Sequence, residues 1–339
     1  MKLMQKILVC LMVTMVAMFG LTGCLERDKA PTLTLEGTET VELTFGESYE
    51  EPGFVATDFK GNNIADAVEV EVPDMEGVGD YKVKYSLTSN EITVTAERLV
   101  QIRHKVPNLE DEESAAAYYN KGIPILIYHN VYNPDNPPSN LHANYISTTD
   151  LESHLQYLVD EGYYFPTWQE IRDFVDCKID LPEKSIVLSF DDASRDWITN
   201  GIPVLESYDI RATSFVIVSW KGEEMASYDL KNVELQSHSY DMHKAGGNIG
   251  HGGIFPALSY EDAMADLEKS KEIIGNNDAF AYPFGDYTDQ CMQIIEDAGF
   301  LCAVTTVNGK IHPGDNPYEL NRVRINLGTD LETFKSLIK

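Results

Sequence analysis

The sequence predicts an α/β protein in which a (β/α) barrel of seven or eight strands follows a small all-β sandwich. From residue 121 onward, short apolar runs alternate with helical stretches, which is typical of parallel strands joined by helices. Between residues 31 and 103, apolar and polar residues instead alternate with a period of two, which is typical of half-buried strands. Of the 339 residues, 43% are hydrophobic, enough for a barrel core and a second, smaller core.

The first residues have the composition of an export signal. Two lysines precede an apolar run at 7–19, and small residues lead to Cys24. The run is shorter than the ~20 residues that a helix needs to span a bilayer, which argues against a plain transmembrane anchor. The pattern resembles a bacterial lipoprotein signal peptide at 1–23. This resemblance implies a lipidated Cys24, a tether at 24–30 and a lipid anchor at the extracellular face of the bacterial cell membrane.

The segment 31–103 is predicted to be the sandwich. Its period-two runs include Tyr81–Tyr85, and turns rich in glycine separate them. The segment resembles bacterial immunoglobulin-like (Ig-like) modules, which carry Gly-X-X-Tyr-X-X-Pro-Gly, here Gly46–Gly53, and end in Arg-X-Val, here Arg98–Val100. It contains no catalytic constellation, so we expect a spacer or wall-binding role. The acidic stretch at 104–120 predicts a linker.

Residues 121–339 are predicted to form the barrel. Because parallel strands joined by right-handed crossovers place chemistry at their carboxyl ends, residues that follow the apolar runs are the candidates for a site. The predicted strands are 123–128, 163–165, 185–190, 213–218, 233–236, 279–282, 301–305 and 322–325. The predicted helices are 147–162, one that opens with a capping box at Thr167–Glu170, 196–207, 260–274, 289–298 and 331–338.

Two adjacent carboxylates and two histidines form the candidate site. Asp191 and Asp192 follow one predicted strand, and His238 and His243 follow another. Residues five apart on a helix lie about 140° apart, so both histidines reach one ion only from a strand end and a loop. One carboxylate and two imidazoles fill part of a metal's coordination shell and leave room for water, while the second carboxylate is free to act as a base. We therefore predict a metal-assisted hydrolase, although an isolated Asp pair is also typical of a helix N-cap.

These residues resemble the motifs of the polysaccharide deacetylases, carbohydrate esterase family four. The first motif stands at Ser189–Ala193 and the second at His238–His243. The segment Tyr282–Gly285 and the strand that ends in His129 are similar to the branch that deacetylates poly-N-acetylglucosamine exopolysaccharide, a biofilm polymer. The resemblance covers 121–339. It implies metal-dependent N-deacetylation of an extracellular N-acetylglucosamine polysaccharide, with zinc as the expected ion and cobalt or nickel as alternatives.

The resemblance also implies a role for each matching residue. By position, Asp191 is the general base, and Asp192, His238 and His243 are the metal ligands. His129 is the general acid, because in the exopolysaccharide branch the barrel is circularly permuted and the strand that carries this histidine opens the domain.

Further positions follow the family pattern or depart from it. Phe284 stands where a backbone N–H faces the oxyanion, with Tyr282 beside it in the same segment. The family's arginine is missing before Tyr282, and Arg322 in the last predicted strand is the candidate to orient the base instead. Ala193 replaces a glycine, and a positive φ there would cost about 1 kcal/mol. His312, in a loop with Gly and Pro, is the alternative general acid.

Composition limits the partners. The formal net charge of −29 argues against nucleic acid and fits a neutral glycan, or a product that becomes cationic as acetyl groups leave. We expect a monomer whose partners are an N-acetylated polysaccharide and, through the lipid anchor, the membrane. Outside the signal peptide and Cys24, the cysteines Cys177, Cys291 and Cys302 have no zinc-ligand spacing, and their odd number predicts no disulfide framework.

Several alternatives stay open from the sequence. A non-catalytic glycan-binding surface lipoprotein is the competing class, in which Ala193 and the missing arginine mark a barrel without turnover. Within the enzyme class, peptidoglycan, chitooligosaccharide or acetylxylan are alternative substrates. The Gly-rich segment 244–259, which contains His251, predicts either a lid or a surface excursion. Trp197, Tyr240 and Tyr287 form either an aromatic face for a sugar or parts of the core.

Overall fold

The computed structural model describes residues 30–75 and 77–339. These residues form two compact units, divided between Arg103 and His104. The predicted signal peptide, tether and lipidated Cys24 lie outside the described residues. Within the described part of the chain, no helix has the length and apolar character needed to cross a membrane.

The first unit is a small sandwich of two sheets. Four of its buried side chains, Val83, Tyr85, Val100 and Ile102, form the centre of a core that both sheets share. The strands are β1 (Thr32–Leu35), β2 (Thr40–Thr44), β3 (Phe54–Thr57), β4 (Val68–Glu71), β5 (Gly79–Ser89) and β6 (Ile92–Arg103). β1 pairs with β3, and the second sheet has the order β2-β6-β5-β4. The predicted all-β sandwich is confirmed.

A buried arginine explains the two short motifs of this unit. Arg98 is fully buried and donates hydrogen bonds to the backbone carbonyls of Glu36 (2.7 Å) and Gly53 (3.2 Å). Its guanidinium also lies 3.4 Å from the carboxylate of Glu51, which accepts a hydrogen bond from the hydroxyl of Tyr49 at 2.6 Å. Because a buried guanidinium is costly without acceptors, the Arg-X-Val strand and the Gly-X-X-Tyr-X-X-Pro-Gly segment depend on each other.

The second unit contains a closed barrel of seven parallel strands. In chain order, the strands of this unit are β7 (Ile125–Tyr128), β8 (Asn130–Tyr132), β9 (Tyr145–Ser147), β10 (Val187–Asp192), β11 (Ala212–Val216), β12 (Val233–Ser237), β13 (Ala279–Ala281), β14 (Cys302–Asn308) and β15 (Leu320–Arg324). The barrel order is β7-β10-β11-β12-β13-β14-β15, and β15 pairs with β7 to close it. The strand predicted at 163–165 is absent from the described elements, because Tyr164 makes only an isolated bridge with Ser185.

Helices surround the barrel. They are α1 (Glu112–Tyr119), α2 (Thr148–Asp160), α3 (Trp168–Val175), α4 (Ile202–Tyr208), α5 (Val218–Ala226), α6 (Tyr260–Ile274), α7 (Asp289–Asp297) and α8 (Leu331–Ile338). The capping box predicted at Thr167 and Glu170 is present at the start of α3. α1 lies in the segment predicted as a linker, and its buried Tyr118 donates a hydrogen bond to the carbonyl of Ile179 at 2.8 Å. The exact domain limits stay a prediction.

Adjacent positions of a barrel strand face opposite sides. On β10, Leu188 packs in a cluster with Leu155 of α2, whereas its neighbour Val187 belongs to a second cluster that includes Phe215. Side chains on a strand alternate with a period of two, so Asp191 shares the orientation of Val187. The register pairs Asp191 with Phe215 on the neighbouring strand. The alternation therefore directs this carboxylate away from the side that packs on α2, at the carboxyl end of the barrel.

A buried histidine in α2 is expected to make the stability of the barrel depend on pH. His154 is buried, its Nε2–H donates to the carbonyl of Thr329 at 3.0 Å, and its ring stacks on Phe334. Burial lowers the pKa of His154 to about 4. Between that value and the ordinary pKa near 6.5 the unfolded chain binds the proton more readily, so stability is lost as the pH falls from about 6.5 to about 4.

We expect urea denaturation to show this loss as a decrease of about 3 kcal/mol in the free energy of unfolding between pH 7 and pH 4. His154→Gln should make the total decrease smaller by about this amount. The matched control is His312→Gln, at a histidine whose side chain is 43% exposed, and it should leave the decrease unchanged. Equal pH dependence in the wild type and His154→Gln would contradict the prediction.

Candidate active site

The carboxyl end of the barrel holds a buried carboxylate paired with a buried arginine. Asp191 is 2% exposed and Arg322, on β15, is 1% exposed. The guanidinium of Arg322 donates two hydrogen bonds of 2.7 Å each, one to each carboxylate oxygen of Asp191. It also donates to the carbonyl of Thr305 (2.8 Å) and the hydroxyl of Ser189 (3.1 Å). The structure thus brings together the two residues for which the sequence predicts a base and its orienting partner.

The charge state of Asp191 follows from this pair. Burial by itself raises the pKa of Asp191, but the charge and hydrogen bonds of Arg322 outweigh it and hold the pKa well below its ordinary value. The bidentate geometry also fixes the plane of the carboxylate. At physiological pH, Asp191 is therefore ionised, and its carboxylate is held in a fixed orientation.

The three predicted metal ligands converge beside it. The carboxylate Oδ1 of Asp192 lies 3.5 Å from Nε2 of His238 and 3.6 Å from Nε2 of His243. All three ligand atoms lie within 4.8 Å of one another. Ligands ~2.1 Å from a tetrahedral ion lie roughly 3.4 Å apart, so this spacing fits one divalent cation. The Nδ1–H of His238 donates to the carbonyl of Ala281 at 2.7 Å, which leaves Nε2 free as a ligand.

Electrostatics favour the metal-binding forms of two of these residues. Burial raises the pKa of Asp192, but its hydrogen bond with His238 and the charge there lower it below the ordinary value. Burial, together with the charge of His238, lowers the pKa of His243. An ionised carboxylate and a neutral imidazole are the forms that coordinate a cation.

A helix carboxylate shapes the loop that carries the second histidine. Asp266, on α6, accepts hydrogen bonds from the backbone N–H groups of Tyr240 (2.7 Å) and Asp241 (2.8 Å). Ser239, just before them, has a positive φ of 70°. The resulting turn brings His243 back toward the strand end, which a regular helix cannot do at this spacing. Asp266 therefore positions a ligand without touching the ion.

We expect Asp266→Asn to weaken zinc binding by about 10- to 100-fold, because an amide replaces one of the two anionic acceptors that hold the loop. Isothermal titration calorimetry with zinc measures the effect. Glu268→Gln, at an exposed position of the same helix, is the control and should bind zinc like the wild type. Unchanged zinc affinity in Asp266→Asn would show that the loop holds its shape without this carboxylate.

The predicted general acid lies at the same rim. His129 directly follows β7, lines the cleft, and has a buried Nδ1 without a hydrogen-bond partner among the described residues. Burial lowers the pKa of His129 in spite of the nearby charges of Asp191 and Asp192. His312, the alternative acid, does not line this cleft. It follows Ile311, which bridges to the chain before the start of β7, at the opposite end of that strand.

The segment after β13 forms a tight turn next to the metal ligands. Phe284 has a φ of 63°, and its ring stacks on His243 with centroids 4.5 Å apart. A Cβ on Gly285 would lie 2.2 Å from Oγ1 of Thr306, so glycine is required there. Tyr282 is buried and donates its hydroxyl to the carbonyl of Tyr318 at 2.9 Å. Phe284 thus lines the cleft beside His243, whereas the hydroxyl of Tyr282 is already engaged.

Ala193 adopts the conformation for which the sequence predicts a cost. Its φ is +52°, and that of Asp192 just before it is +76°. Asp192 ends β10 and Ala193 follows it, both in the left-handed region, where a side chain without local hydrogen bonding costs roughly 1–2 kcal/mol. The backbone turns sharply at the end of β10. Asp191 therefore pairs with Arg322, whereas Asp192 lies next to the two histidines.

A cleft of about 360 Å³ joins these groups. Sequence reasoning missed three residues that line it, Asn144, Thr306 and Arg324. Arg324 donates to the side-chain carbonyl of Asn144 at 2.9 Å and makes no ion pair within the described part of the chain. It lies two positions after Arg322 on the same strand, so the period of two could have identified it.

The Gly-rich segment 244–259 contributes His251 to the lining of the cleft. The buried carboxylate of Asp286 accepts hydrogen bonds from the backbone N–H groups of His251 (2.9 Å) and Gly253 (2.8 Å), which fixes the loop. The His251 side chain is 75% exposed and lies outside the group of three metal ligands. Of the proposed aromatic face, Trp197 is instead part of the core, where it stacks on Phe190.

Comparison with known proteins agrees with this geometry. Residues 178–303 match the family model for polysaccharide deacetylase, and residues 33–102 match that for the Ig-like domain of bacterial surface proteins. The poly-beta-1,6-N-acetyl-D-glucosamine N-deacetylase of Staphylococcus aureus strain MRSA252 is 26% identical over 212 residues, which cover 57% of this chain and 71% of that protein.

Two solved structures are similar to the barrel. The deacetylase PplD of Streptococcus pyogenes, in complex with acetate, has a TM-score of 0.52 and 25% identity, and the match covers 64% of this chain and 98% of that one. IcaB from Ammonifex degensii has a TM-score of 0.51 and 26% identity, with 65% and 96% covered. The barrel is therefore a polysaccharide deacetylase domain, and the sandwich that precedes it is an Ig-like domain of the bacterial surface protein type.

Proposed function

We propose that the protein is a metal-dependent N-deacetylase of an extracellular N-acetylglucosamine polysaccharide, an exopolysaccharide in particular. The observation that carries the proposal is the convergence of an ionised carboxylate, an unpartnered imidazole nitrogen and a three-ligand group at one rim of the barrel. The similarity to a staphylococcal poly-beta-1,6-N-acetyl-D-glucosamine N-deacetylase supports the substrate class. Among known sites, a carboxylate with two histidines and open coordination positions is typical of hydrolytic metal centres.

The residues of the chain divide the proton transfers between them. Asp191, held by Arg322, accepts a proton from the water that attacks the acetyl carbon. His129, once protonated, donates its proton to the nitrogen as the C–N bond breaks, and burial makes it a stronger acid because it lowers the pKa. The products are acetate and a free amine on the sugar. The backbone N–H of Phe284 stabilises the negative charge on the acyl oxygen.

A divalent cation would be held by Asp192, His238 and His243. When bound, it supplies Lewis acidity to the acetyl carbonyl and to the attacking water. Two nitrogens and one carboxylate oxygen suit zinc, and they also accept cobalt or nickel. Asp191 lies outside this group of three, and both of its oxygens accept hydrogen bonds from Arg322.

The location that we propose is the outer face of the bacterial membrane. Its support is the apolar run at 7–19 and the small residues before Cys24, which resemble a lipoprotein signal. The Ig-like domain, of a type found in bacterial surface proteins, is consistent with that location. In this arrangement a monomer acts on polysaccharide at the cell surface while the lipid holds it to the membrane.

Acetate release from a panel of acetylated glycans tests the function. We expect the purified chain to release acetate from poly-β-1,6-linked N-acetylglucosamine, to lose this activity after chelation, and to regain it with zinc. Faster release from peptidoglycan or acetylxylan would identify that polymer as the substrate instead. Glycan binding without acetate release, with zinc, cobalt or nickel loaded in turn, would favour the non-catalytic lipoprotein and overturn the proposal.

A further inference from the structure

One tryptophan beside the cleft differs from the other two in its exposure. Trp168 and Trp197 are buried, whereas Trp220 on α5 is 59% exposed. A single exposed apolar side chain is ordinary on a protein surface. What distinguishes Trp220 is its neighbour, because the indole lies edge-on to the ring of His243 with centroids 5.8 Å apart.

The backbone fixes this position. The N–H of Val218 donates to the carbonyl of Ser239 at 3.0 Å, and the N–H of Ser219 donates to the carbonyl of Tyr240 at 2.8 Å. The first turn of α5 is thereby attached to the loop that carries His243. Trp220 therefore keeps its place relative to the candidate metal ligands and is not a side chain on an independent surface helix.

Three neighbouring rings connect the cleft with the groove next to it: His243 and Phe284 line the cleft, and Trp220 lines the second groove. The ring of His243 contacts both of the others, Trp220 edge-on and Phe284 stacked with centroids 4.5 Å apart. The opposite lining is polar and includes Arg324 and Asn144. Arg324 ends β15, which is three strands from β12 around the seven-stranded barrel. We name the set Trp220, His243 and Phe284 the aromatic wall.

This asymmetry matches the chemistry of a pyranose ring. A hexosamine residue has one face of C–H groups, which packs on aromatic rings, and an edge of hydroxyl groups, which bonds to polar side chains. Trp220 and Tyr240 line a second groove of about 490 Å³. A glycan bound in the cleft would continue past the exposed indole.

We propose that Trp220 is the stacking platform of a second sugar subsite, next to the one where the acetamide reacts. The occupant is a pyranose residue of an N-acetylhexosamine chain, so the enzyme favours oligomers over the monosaccharide. This inference rests on the proposed function. It adds a residue that neither the motifs nor the sequence analysis single out.

Intrinsic fluorescence measures the subsite directly. Because Trp168 and Trp197 are buried, a change in emission on titration with a β-1,6-linked N-acetylglucosamine tetramer belongs to Trp220. We expect a shift to shorter wavelength in the wild type and no shift in Trp220→Phe. A shift that persists in Trp220→Phe would overturn the proposal, as would a shift caused by phosphatidylglycerol vesicles and not by the tetramer, which would indicate a membrane contact.

Kinetics provide the second measurement. For Trp220→Ala we expect KM for the tetramer to rise about tenfold with little change in kcat, and kcat/KM for the monosaccharide to stay as in the wild type. Trp220→Phe should recover most of the loss. Tyr119→Ala, at an exposed aromatic residue of α1, is the control and should behave like the wild type.

The outcomes separate the subsite from the function. Wild-type protein that releases acetate, together with unchanged KM in Trp220→Ala, would reject the subsite and leave the proposed function standing. Wild-type protein that releases no acetate from either substrate would reject the proposed function. In that case the fluorescence titration still decides whether a sugar stacks on Trp220.

Discussion

Asp191→Asn is expected to abolish acetate release while the metal stays bound. An amide cannot take the proton of water, so activity should fall by at least about 10³-fold, within the range that positioned acid–base groups contribute. The variant also leaves the guanidinium of Arg322 buried without its anion, and breaking such a pair costs about 3–5 kcal/mol of stability. Acetate assays, elemental analysis and urea denaturation measure the three effects.

A double variant separates catalysis from stability. Asp191→Asn combined with Arg322→Met removes the unpaired buried charge, so it should recover part of the lost stability without recovering activity. If Asp191→Asn retained more than about a tenth of wild-type activity, the carboxylate would not be the base. If it lost its metal, Asp191 would belong to the coordination group.

Replacing either histidine of the three-ligand group is expected to remove the ion and the activity together. We expect His238→Gln and His243→Gln each to bind much less than one equivalent of zinc and to lose at least about 100-fold in acetate release. His238 is buried and donates to a barrel carbonyl, so its variant should also lower the melting temperature. His243 is partly exposed, and its loss should affect stability less.

His251→Gln is the matched control for this experiment. His251 lines the same cleft but lies outside the group of three ligands, and its side chain is largely exposed. It should keep full zinc occupancy. Full occupancy in His243→Gln, or loss of the ion in His251→Gln, would show that different residues hold the metal.

The parts of the fold that the sequence predicts well depend on local patterns. The run that ends at Asp191 is apolar and β-branched, so a buried strand there is predictable without knowledge of its neighbours. The capping box at Thr167 is a local hydrogen-bonding pattern within one helical turn. In the sandwich, alternation with a period of two shows directly which residues of Tyr81–Tyr85 form the core.

The errors occur where tertiary contacts decide. The run at 213–218 is predicted as a strand to its end, but the strand stops at Val216, and α5, with Trp220 and an internal Gly222, begins two residues later. Glycine has a low helix propensity, so an internal glycine in a helix this short argues against predicting a helix there. Tyr163 to Phe165 has the residues of a strand but makes only one bridge, because no neighbouring strand extends along it.

Placing the site residues required both the motifs and the fold. Adjacent carboxylates and two histidines after strands predict a shared site, the family resemblance selects Asp192 as the ligand, and the structure brings Asp192, His238 and His243 together. The partner of Asp191 lies 131 residues away in sequence, and only barrel closure brings Arg322 to it. Arg324 and Trp220 belong to no motif, and only the fold shows that Arg324 lines the cleft and that Trp220 lies next to His243.

The strand that supplies Arg322 is also the one that closes the barrel against β7. Detachment of that strand alone would leave the three-ligand group intact, because its members come from β10 and the loop after β12. It would, however, separate the carboxylate of Asp191 from the buried guanidinium with which it pairs. Under the proposed function, turnover would then depend on the pairing of this one strand, and a partly opened molecule would keep its metal ligands together while being inert toward polysaccharide.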